Sequence, residues 1–570
     1  MAAPGGDVIR RRYVHVGDRA VHYRRTGSGP PVVLVHQSPQ SSAGLVPLMR
    51  LLAPHATVFA FDTPGCGDSD PLLQRRPRIG EFAAALVETL DALGIGRFAL
   101  FGTKTGACIA LELACRFPER VLGVVLDSLP LFTPREVADI THVAKSDDGD
   151  DAYYLMPFRA TWDGAHLTTT WSHVRDHIFW FPWYRRRGAN RRDIDMPSPS
   201  TMHEGVLDNF RAGDNLRTVV EAAFRYPAKA AVETLRVPAL FMARADSMLF
   251  HCLDMLPRLA AGQRIKKLGR DMDVYRRTLV KALRGYASGD SPPDHEPRDI
   301  PRRVTRTFVD RRPRGQVLVR RLMVRSGRPI LLLHDVPGSS QALAPLINGL
   351  GQRRPVVAPD FPGCGDSDPL RAGRRSLDVY VGAVRDVLDH GGWPIVDVYG
   401  VGVGAAIALR LTARHGERVA GLVLEDLPRW TKEERREFTH AYTPPIEPTW
   451  DGGHLYRTWL MLRDQHAYWP WYRRTRMAIR RVDLTLRPEE LQARLLEVLK
   501  AYRSYGEAFQ AAVRYRPEPD LRGLTRAFVV LGEPTSPMTD RWRGIVKINP
   551  RARIVSSAPT PARLLRLLRG

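Results

Sequence analysis

The sequence predicts a mixed α/β protein in which each half of the chain forms a mostly parallel β-sheet covered by helices. Three observations support this fold class: an internal repeat, a series of short apolar runs bounded by turn residues, and an amphipathic helical pattern directly after one of those runs. A length of 570 residues would suggest about four domains of ordinary size. The repeat reduces that number to two large units.

The repeat is defined by a constant register. The motif PGCGDSDPL occurs at 64–72 and again at 362–370, an offset of 298 residues that also relates His36 to His334. Beyond position 130 the offset becomes 288, as in Trp162–Gly164 and Trp450–Gly452. The first half therefore contains ten extra residues, which we assign to the acidic stretch around 147–151.

Domain boundaries follow from the repeat and from composition. We expect a first unit at 1–287, a linker at 288–314 and a second unit at 315–570. The linker assignment is based on the polar, proline-rich stretch SGDSPPDHEPRD that begins at 288. Two homologous units in one chain are also expected to pack as an internal pseudo-dimer.

Buried parallel strands are predicted wherever a continuous apolar run lies between turn residues. An amphipathic helix follows the third run of the first half, and the second half repeats it. This order of strand, glycine turn, helix and strand is typical of a parallel sheet with helices on both faces. The runs are Val32–His36, Val58–Asp62, Phe98–Gly102, Val124–Asp127 and Ala239–Ala243, and the helices are Ala107–Phe117 and Ala405–His415.

Each half resembles an α/β-hydrolase. The resemblance is carried by a strand that ends in His36 with Pro39 after it, by the D-x-P-G-x-G-x-S-D turn Asp62–Asp70, and by the G-x-x-x-G elbow Gly102–Gly106. All three features recur in order in the second half. The resemblance implies a helical cap or lid in each unit, at about 131–236 and 429–525.

The catalytic positions implied by this resemblance are substituted in both units. In the family the centre of the elbow is a serine nucleophile, whereas here it is Lys104 in the first unit and Gly402 in the second. Where the family places its histidine base, the first unit has Arg270, and the second unit has no histidine after His466. Neither unit therefore contains a Ser-His-Asp triad, and Gly402 has no side chain that could attack a substrate.

Two carboxylates remain as candidate catalytic acids of the first unit. By resemblance, Asp246 and Asp127 occupy the two positions where the family places its acid, and Glu533 and Glu425 are their approximate counterparts in the second unit. Either acid could take part in chemistry or could neutralise Lys104 or Arg270.

Three roles are open for Lys104. The positive end of a helix dipole lowers the pKa of an ammonium group, and a neutral amine can attack a carbonyl or form a Schiff base. Alternatively, Lys104 could bind an anionic ligand as a fixed charge, or it could form a structural ion pair with Asp127 or Asp246. The sequence does not decide among these roles.

Further candidate site residues come from the resemblance and from the predicted cap. Backbone amides near Gln37 and at Thr105 are the implied oxyanion donors of the first unit. In the second unit the counterparts are Asp335 and Val403, and a carboxylate at 335 argues against hydrolysis there. His36 is either a substrate-binding residue or a structural residue at the end of a strand.

The predicted cap contains a helix with one apolar face, because Leu167, Trp171, Val174 and Ile178 follow helical spacing. From this region we select His166, Trp171 and Arg175 as substrate-binding candidates. The alternative is that the tryptophan belongs to the core of the cap and that Arg175–Asp176 is a local structural element.

Composition limits the partners and the compartment. The net charge is +24, but it arises from 76 arginines and only 9 lysines spread along the chain, so we interpret it as solvated surface and do not expect nucleic-acid binding. Five scattered cysteines show no metal-binding spacing and no disulfide framework. No signal peptide or membrane span is predicted, so we expect a cytoplasmic protein without a metal ion or cofactor.

Two functions are compatible with these features. The first is an α/β-hydrolase-like enzyme whose first unit acts on a small apolar ester, lactone, epoxide or carbonyl compound. The second is an inactive pseudo-hydrolase that serves as a ligand-binding or partner-binding scaffold.

Overall fold

The computed structural model describes residues 8–143, 158–183, 185–295, 299–311, 315–370, 376–481, 486–532, 536 and 539–568. The chain divides into two compact units, one comprising Met1–Arg159 with Ala165–Arg298 and the other Ala160–Gly164 with Asp299–Gly570. The acidic stretch 147–151 and Glu533 lie outside the described residues.

The first unit is built on an eight-stranded sheet with the order β1-β2-β4-β3-β5-β6-β7-β8. The first two strands form an antiparallel hairpin that pairs with β4, and the other neighbours are parallel. The predicted apolar runs are its central strands, and almost all of their residues are buried. The strands are β1 Arg10–Val16, β2 Arg19–Thr26, β3 Pro31–Val35, β4 Thr57–Phe61, β5 Phe98–Thr103, β6 Val121–Asp127, β7 Ala239–Arg244 and β8 Gln263–Leu268.

Helices cover both faces of this sheet. Phe82 and Ile109 belong to the apolar core on one face, and Met49 and Leu279 belong to the core on the other. The sheet-covering helices are α1 Val46–Leu52, α2 Ile79–Ala92, α3 Thr105–Arg116 and α9 Met272–Tyr286. The five helices between β6 and β7, called the first insertion below, are α4 Pro134–Val143, α5 Ala165–Phe179, α6 Pro199–Ala212, α7 Asn215–Phe224 and α8 Ala228–Thr234.

A sharp turn joins β5 to α3 and forms the predicted elbow. Lys104 stands at its apex with φ 49° and ψ −114°, a left-handed conformation that is rare for a residue with a side chain. Gly106 lets the start of α3 approach β3, because a Cβ at this position would lie 2.5 Å from the carbonyl oxygens of Val35 and His36. The elbow therefore holds Lys104 at the carboxyl edge of the sheet.

The second unit repeats this architecture with the strand order β16-β15-β14-β13-β11-β12-β10-β9. Its elbow has nearly the same backbone, with Gly402 at φ 55° and ψ −120°. The strands are β9 Val304–Asp310, β10 Gln316–Leu322, β11 Ile330–Leu333, β12 Val356–Pro359, β13 Val396–Val401, β14 Val419–Glu425, β15 Phe528–Gly532 and β16 Ala552–Ser556.

The helices of the second unit follow the same plan. Five of them, α13 to α17, lie between β14 and β15 and form the second insertion. The helices are α10 Ala344–Gly351, α11 Leu377–His390, α12 Val403–Arg414, α13 Lys432–Ala441, α14 Gly453–Ala467, α15 Pro488–Lys500, α16 Glu507–Arg514, α17 Glu518–Gly523, α18 Thr539–Arg543 and α19 Pro561–Leu567.

The region predicted as a linker, 288–314, contacts the first unit at its start and contains a strand of the second unit near its end. The Arg25 guanidinium of β2 donates hydrogen bonds to the carbonyl oxygens of Pro292 and Pro293, and it forms an ion pair with Asp294. Strand β9, within the same region, pairs with β10 as the edge of the second sheet. The contacts with Arg25 could not be predicted from the polar composition of this region, because they join its main-chain carbonyl groups to an arginine far away in the sequence.

The duplicated turn that follows β4 and β12 is held by a buried aspartate in each unit. Asp62 accepts hydrogen bonds from the amides of Ser42 and Asp68 and contacts the ring of His22. Its counterpart, Asp360, forms an ion pair with the buried Arg320 at 2.8 Å. These aspartates therefore organise the repeated motif from inside the protein.

No helix in the described ranges is both long enough and apolar enough to span a bilayer.

Candidate functional site

Lys104 is the central side chain of the candidate site. It is half-buried at the apex of the elbow, immediately before the first turn of α3. Within the described residues its ammonium group forms no hydrogen bond and no ion pair. The structure therefore does not contain the ion pair with Asp127 or Asp246 that the sequence left open.

The surroundings of Lys104 lower its pKa and so increase the fraction of neutral amine. Burial lowers the pKa of Lys104 to about 8, and the nearby positive charge of Arg192 acts in the same direction. The negative charges of Asp127 and Asp246 oppose this shift only in part. The positive end of the α3 dipole also disfavours an ammonium group at this position.

Asp127, a predicted catalytic acid, ends β6 and is buried beside the elbow. Its Oδ2 accepts hydrogen bonds from the Thr103 hydroxyl at 2.9 Å and the Tyr275 hydroxyl at 3.0 Å, and its Oδ1 accepts one from the Ser128 hydroxyl at 3.2 Å. Burial raises the pKa of Asp127, although these hydrogen bonds act against the shift. The carboxylate is thus satisfied by hydroxyl groups.

Asp246, the other predicted acid, is held by an arginine from its own strand. The Arg244 guanidinium donates to Asp246 Oδ1 at 2.8 Å and to Oδ2 at 2.5 Å. Arg270, at the position of the family's histidine, pairs instead with Asp193 at 2.5 Å on the protein surface. Asp246 therefore neutralises neither Lys104 nor Arg270 by direct contact.

Arg192 and His177 of the first insertion also lie near Lys104. Arg192 donates hydrogen bonds to the backbone carbonyls of Ile178 at 3.2 Å and Asp246 at 3.4 Å. His177 is close enough that the charges of Lys104 and Arg192, together with burial as the main cause, lower its pKa to about 3. The imidazole is therefore neutral at physiological pH.

The predicted oxyanion donors flank the same position. Thr105 begins α3, and its hydroxyl accepts a hydrogen bond from the Ser38 amide at 2.6 Å. Across the part of the chain that the structure describes, neither the Thr105 amide nor the Gln37 amide donates to a protein acceptor. Both N–H groups are therefore available to a ligand.

His36 uses both ring nitrogens within the protein. Its Nε2 accepts a hydrogen bond from the Thr63 amide at 2.9 Å, so Nδ1 carries the proton and donates to the Gln37 carbonyl at 2.9 Å. The ring is buried, and burial lowers its pKa. This geometry matches the structural role and leaves no ring nitrogen for a substrate.

The three candidates selected from the predicted cap are dispersed. His166 and Trp171 are buried in helix α5, where the ring of Phe158 packs edge-on against His166. Arg175 is exposed and lies over the ring of Phe179. The charge of Arg192 acts on Lys104, and the charge of Lys104 acts on His177. Among the described residues, Arg175 is not one of the charges that act on Lys104.

Sequence reasoning missed Arg192, His177, Tyr275 and Arg244. Arg192 could have been noticed in the sequence, because the offset of 288 residues that relates the two insertions places another arginine, Arg480, at the corresponding position. Each arginine donates Nη1 to a carbonyl of the preceding helix, Ile178 in one unit and Gln465 in the other. Arg244 lies two residues before Asp246, and this short spacing was the available signal. For Tyr275 no comparable pattern is present, since its contact with Asp127 is tertiary.

In the second unit, the Asp335 carboxylate occupies the position that corresponds to the Lys104 side chain. Asp335, which corresponds to Gln37, accepts a hydrogen bond from the Val403 amide at 2.8 Å through Oδ1. Gly402 makes this possible, because a Cβ at 402 would overlap the Asp335 carboxylate. Asp335 is exposed at the protein surface, and desolvation of its carboxylate by the surrounding protein raises its pKa to about 6.

Comparisons with known proteins agree with this architecture. The family model described as alpha/beta hydrolase fold matches residues 30–176 and 328–441. A 2-hydroxy-6-oxononadienedioate/2-hydroxy-6-oxononatrienedioate hydrolase from Burkholderia vietnamiensis is 37% identical over 111 residues, which are 19% of this chain and 38% of that protein. A 2-hydroxy-6-oxo-6-phenylhexa-2,4-dienoate hydrolase from Comamonas testosteroni is 30% identical over 115 residues, which are 20% of this chain and 40% of that protein.

The chain thus spans about two fifths of the length of these curated relatives. Among solved structures, epoxide hydrolase A from Mycobacterium thermoresistibile matches with 18% identity and a TM-score of 0.38, covering 49% of this chain and 99% of that one. The two matched segments each contain the strand, elbow and helix described above. The chain therefore contains two α/β-hydrolase-like units in tandem.

Proposed function

We propose that the first unit acts on a small carbonyl compound through the amine of Lys104, which forms an imine with the substrate. The observation that carries this proposal is the position of Lys104: a half-buried amine with no partner among the described residues occupies the apex of the elbow, where the family places its nucleophile. The first insertion would act as the cap of this site, with His177 supplied by α5 and Arg192 by the segment between α5 and α6.

The chemistry of an amine selects among the substrates that the sequence left open. Attack on an ester or lactone would give an amide, and attack on an epoxide would give a secondary amine. Both products are stable, and Arg270 at the histidine position cannot activate water to remove them. An aldehyde or ketone is different: the amine adds to the carbonyl carbon, the carbinolamine loses water to form an imine, and returning water reverses both steps.

The electrostatics support this reaction. With a pKa of about 8, roughly a tenth of the Lys104 side chains are neutral at pH 7. The amides of Thr105 and Gln37 would stabilise the negative oxygen that develops during addition. The two curated relatives are named as hydrolases of oxo-dienoates, which are carbonyl compounds, and their names support this substrate class.

Borohydride trapping tests the proposal. The full chain would be incubated with pyruvate, cyclohexanone or benzaldehyde and then reduced, and the labelled peptide would be identified by mass spectrometry. We expect a secondary-amine adduct at Lys104 in the wild type and none at this position in Lys104→Ala. Labelling only at exposed lysines such as Lys229, at equal levels in both proteins, would overturn the proposal.

A second candidate is ligand binding without turnover. It is favoured by Arg270, because the family's base is replaced by a residue that stays protonated and pairs with Asp193. In that case a carbonyl ligand would stabilise the protein against heat, and borohydride would trap no adduct at Lys104.

A further inference from the structure

We propose that ligands of the first-unit site carry a carboxylate, which binds between Arg192 and the Lys104–Thr105 elbow. The inference deepens the proposed function, and it rests on the use of the same site. Three observations lead to it: two cations that form no ion pair within the described residues, a guanidinium with donors left over from its contacts there, and a carboxylate that the second unit supplies to itself.

The first observation is the charge balance at the elbow. Arg192 donates to the carbonyl of Asp246, just after β7, and the Lys104 amide donates to the carbonyl of Asp127, at the end of the neighbouring strand β6, so both side chains lie at the same edge of the sheet. Neither forms an ion pair in the ranges that the structure describes. The nearby carboxylates are already occupied, Asp127 by three hydroxyl groups and Asp246 by both arms of Arg244. Partly buried cations without counter-ions are costly, so a ligand anion would be strongly favoured there.

The second observation concerns the hydrogen bonds of Arg192. Its two acceptors are neutral backbone carbonyls, Ile178 O at 3.2 Å and Asp246 O at 3.4 Å. A guanidinium has five N–H donors in a planar fork that matches the two oxygens of a carboxylate. These two carbonyls orient the Arg192 side chain and leave further donors for a ligand.

The third observation comes from the second unit. There, Asp335 provides a carboxylate whose Oδ1 accepts the hydrogen bond of the Val403 amide. The first unit has the neutral Gln37 at the equivalent position, and the equivalent amide, that of Thr105, donates to no protein acceptor in the described structure. The arginine is common to both units, as Arg192 and Arg480. In the first unit the elbow amide and the arginine are therefore present, whereas residue 37 supplies no carboxylate.

Binding of hexanoate and of hexanamide, its neutral analogue, tests the proposal. Calorimetric titration of the full chain at pH 7 should give a hexanoate affinity at least tenfold above that of hexanamide. Arg192→Gln should weaken hexanoate binding at least tenfold, and Arg192→Lys should weaken it less. Arg187→Gln, an exposed arginine of the same insertion, should have no effect. Melting curves would verify that each variant is folded.

Equal affinities for hexanoate and hexanamide, no hexanoate binding at millimolar concentration, or unchanged binding in Arg192→Gln would each overturn the inference. A second experiment separates this inference from the proposed function. Borohydride trapping at Lys104 would be compared for pyruvate, which carries a carboxylate, and methyl pyruvate, which is neutral, in the wild type and in Arg192→Gln. Hexanoate binding that depends on Arg192, without any borohydride adduct, would overturn imine formation alone. If pyruvate and methyl pyruvate gave equal amounts of adduct at Lys104, and Arg192→Gln changed neither amount, the carboxylate inference alone would be overturned.

Discussion

The Asp335 carboxylate of the second unit accepts the Val403 amide hydrogen bond at 2.8 Å, directly beside the glycine that replaces the family's nucleophile. The carboxylate occupies both the volume of the missing Gly402 side chain and the acceptor position of an oxyanion. Asp335 and Gly402 are therefore a matched pair, and the second elbow is closed to a substrate in this arrangement.

Gly402→Ala should destabilise the second unit. The left-handed backbone and the overlap of the new Cβ with Asp335 should together cost about 2–4 kcal/mol, which urea denaturation would measure. Asp335→Gly in the same chain should recover part of this loss, because it removes the overlapping carboxylate. Equal losses in the single and double variants would contradict the pairing.

Asp335→Asn should stabilise the protein at neutral pH. Because the folded protein raises the pKa of Asp335 to about 6, its ionisation opposes folding, and wild-type stability decreases as pH rises from about 4 through 6. Asparagine is neutral and keeps an oxygen for the Val403 amide. We expect a higher melting temperature than wild type at pH 7.5 and a smaller difference at pH 5. A difference independent of pH would refute this explanation.

Lys104→Met should also stabilise the protein, with the opposite pH dependence. A lysine whose pKa falls to about 8 on folding penalises the folded state at and below that pH, and the penalty disappears as pH rises towards 10.5. At pH 7 we expect a melting temperature about 3 °C higher, the shift that about 1 kcal/mol gives in a unit of this size. The gain should vanish near pH 10, whereas the exposed Lys229→Met should show no such trend.

Lys500→Met should strongly destabilise the second unit. Lys500 is buried between Asp366 at 2.9 Å and Glu497 at 2.7 Å, and it links the repeated turn after β12 to helix α15 of the second insertion. Removing one partner of a buried ion pair leaves uncompensated charge and costs about 3–5 kcal/mol. Chemical denaturation would measure this loss against Lys432→Met, an exposed lysine of the same unit. Equal stabilities of the two variants would show that the cluster contributes nothing.

Much of the fold could be predicted from local patterns. Continuous apolar runs became the central strands, and the repeated glycine elbow became the turn between β5 and α3, because burial and close backbone approach restrict which residues fit there. Strand β9 could not be recognised in the same way, since an edge strand in a polar, proline-rich region has no continuous apolar run.

The candidate site was only partly predictable. Lys104, Asp127 and Asp246 could be selected because a known motif fixes their place along the chain. Their partners were not selected: Tyr275 reaches Asp127 through a tertiary contact that leaves no periodic pattern, whereas Arg244 lies only two residues before Asp246 and could have been considered from the sequence.

The sequence by itself determined the duplication, the fold class and the loss of a Ser-His-Asp triad in both units, because these depend on residue identity and spacing. The tertiary structure decided which charges are paired. It joined Arg270 to Asp193 and Asp335 to the Val403 amide, and it left Lys104 without an acidic partner within the described residues. The physical reason is that ion pairing and burial depend on distances across the fold, which neither composition nor register specifies.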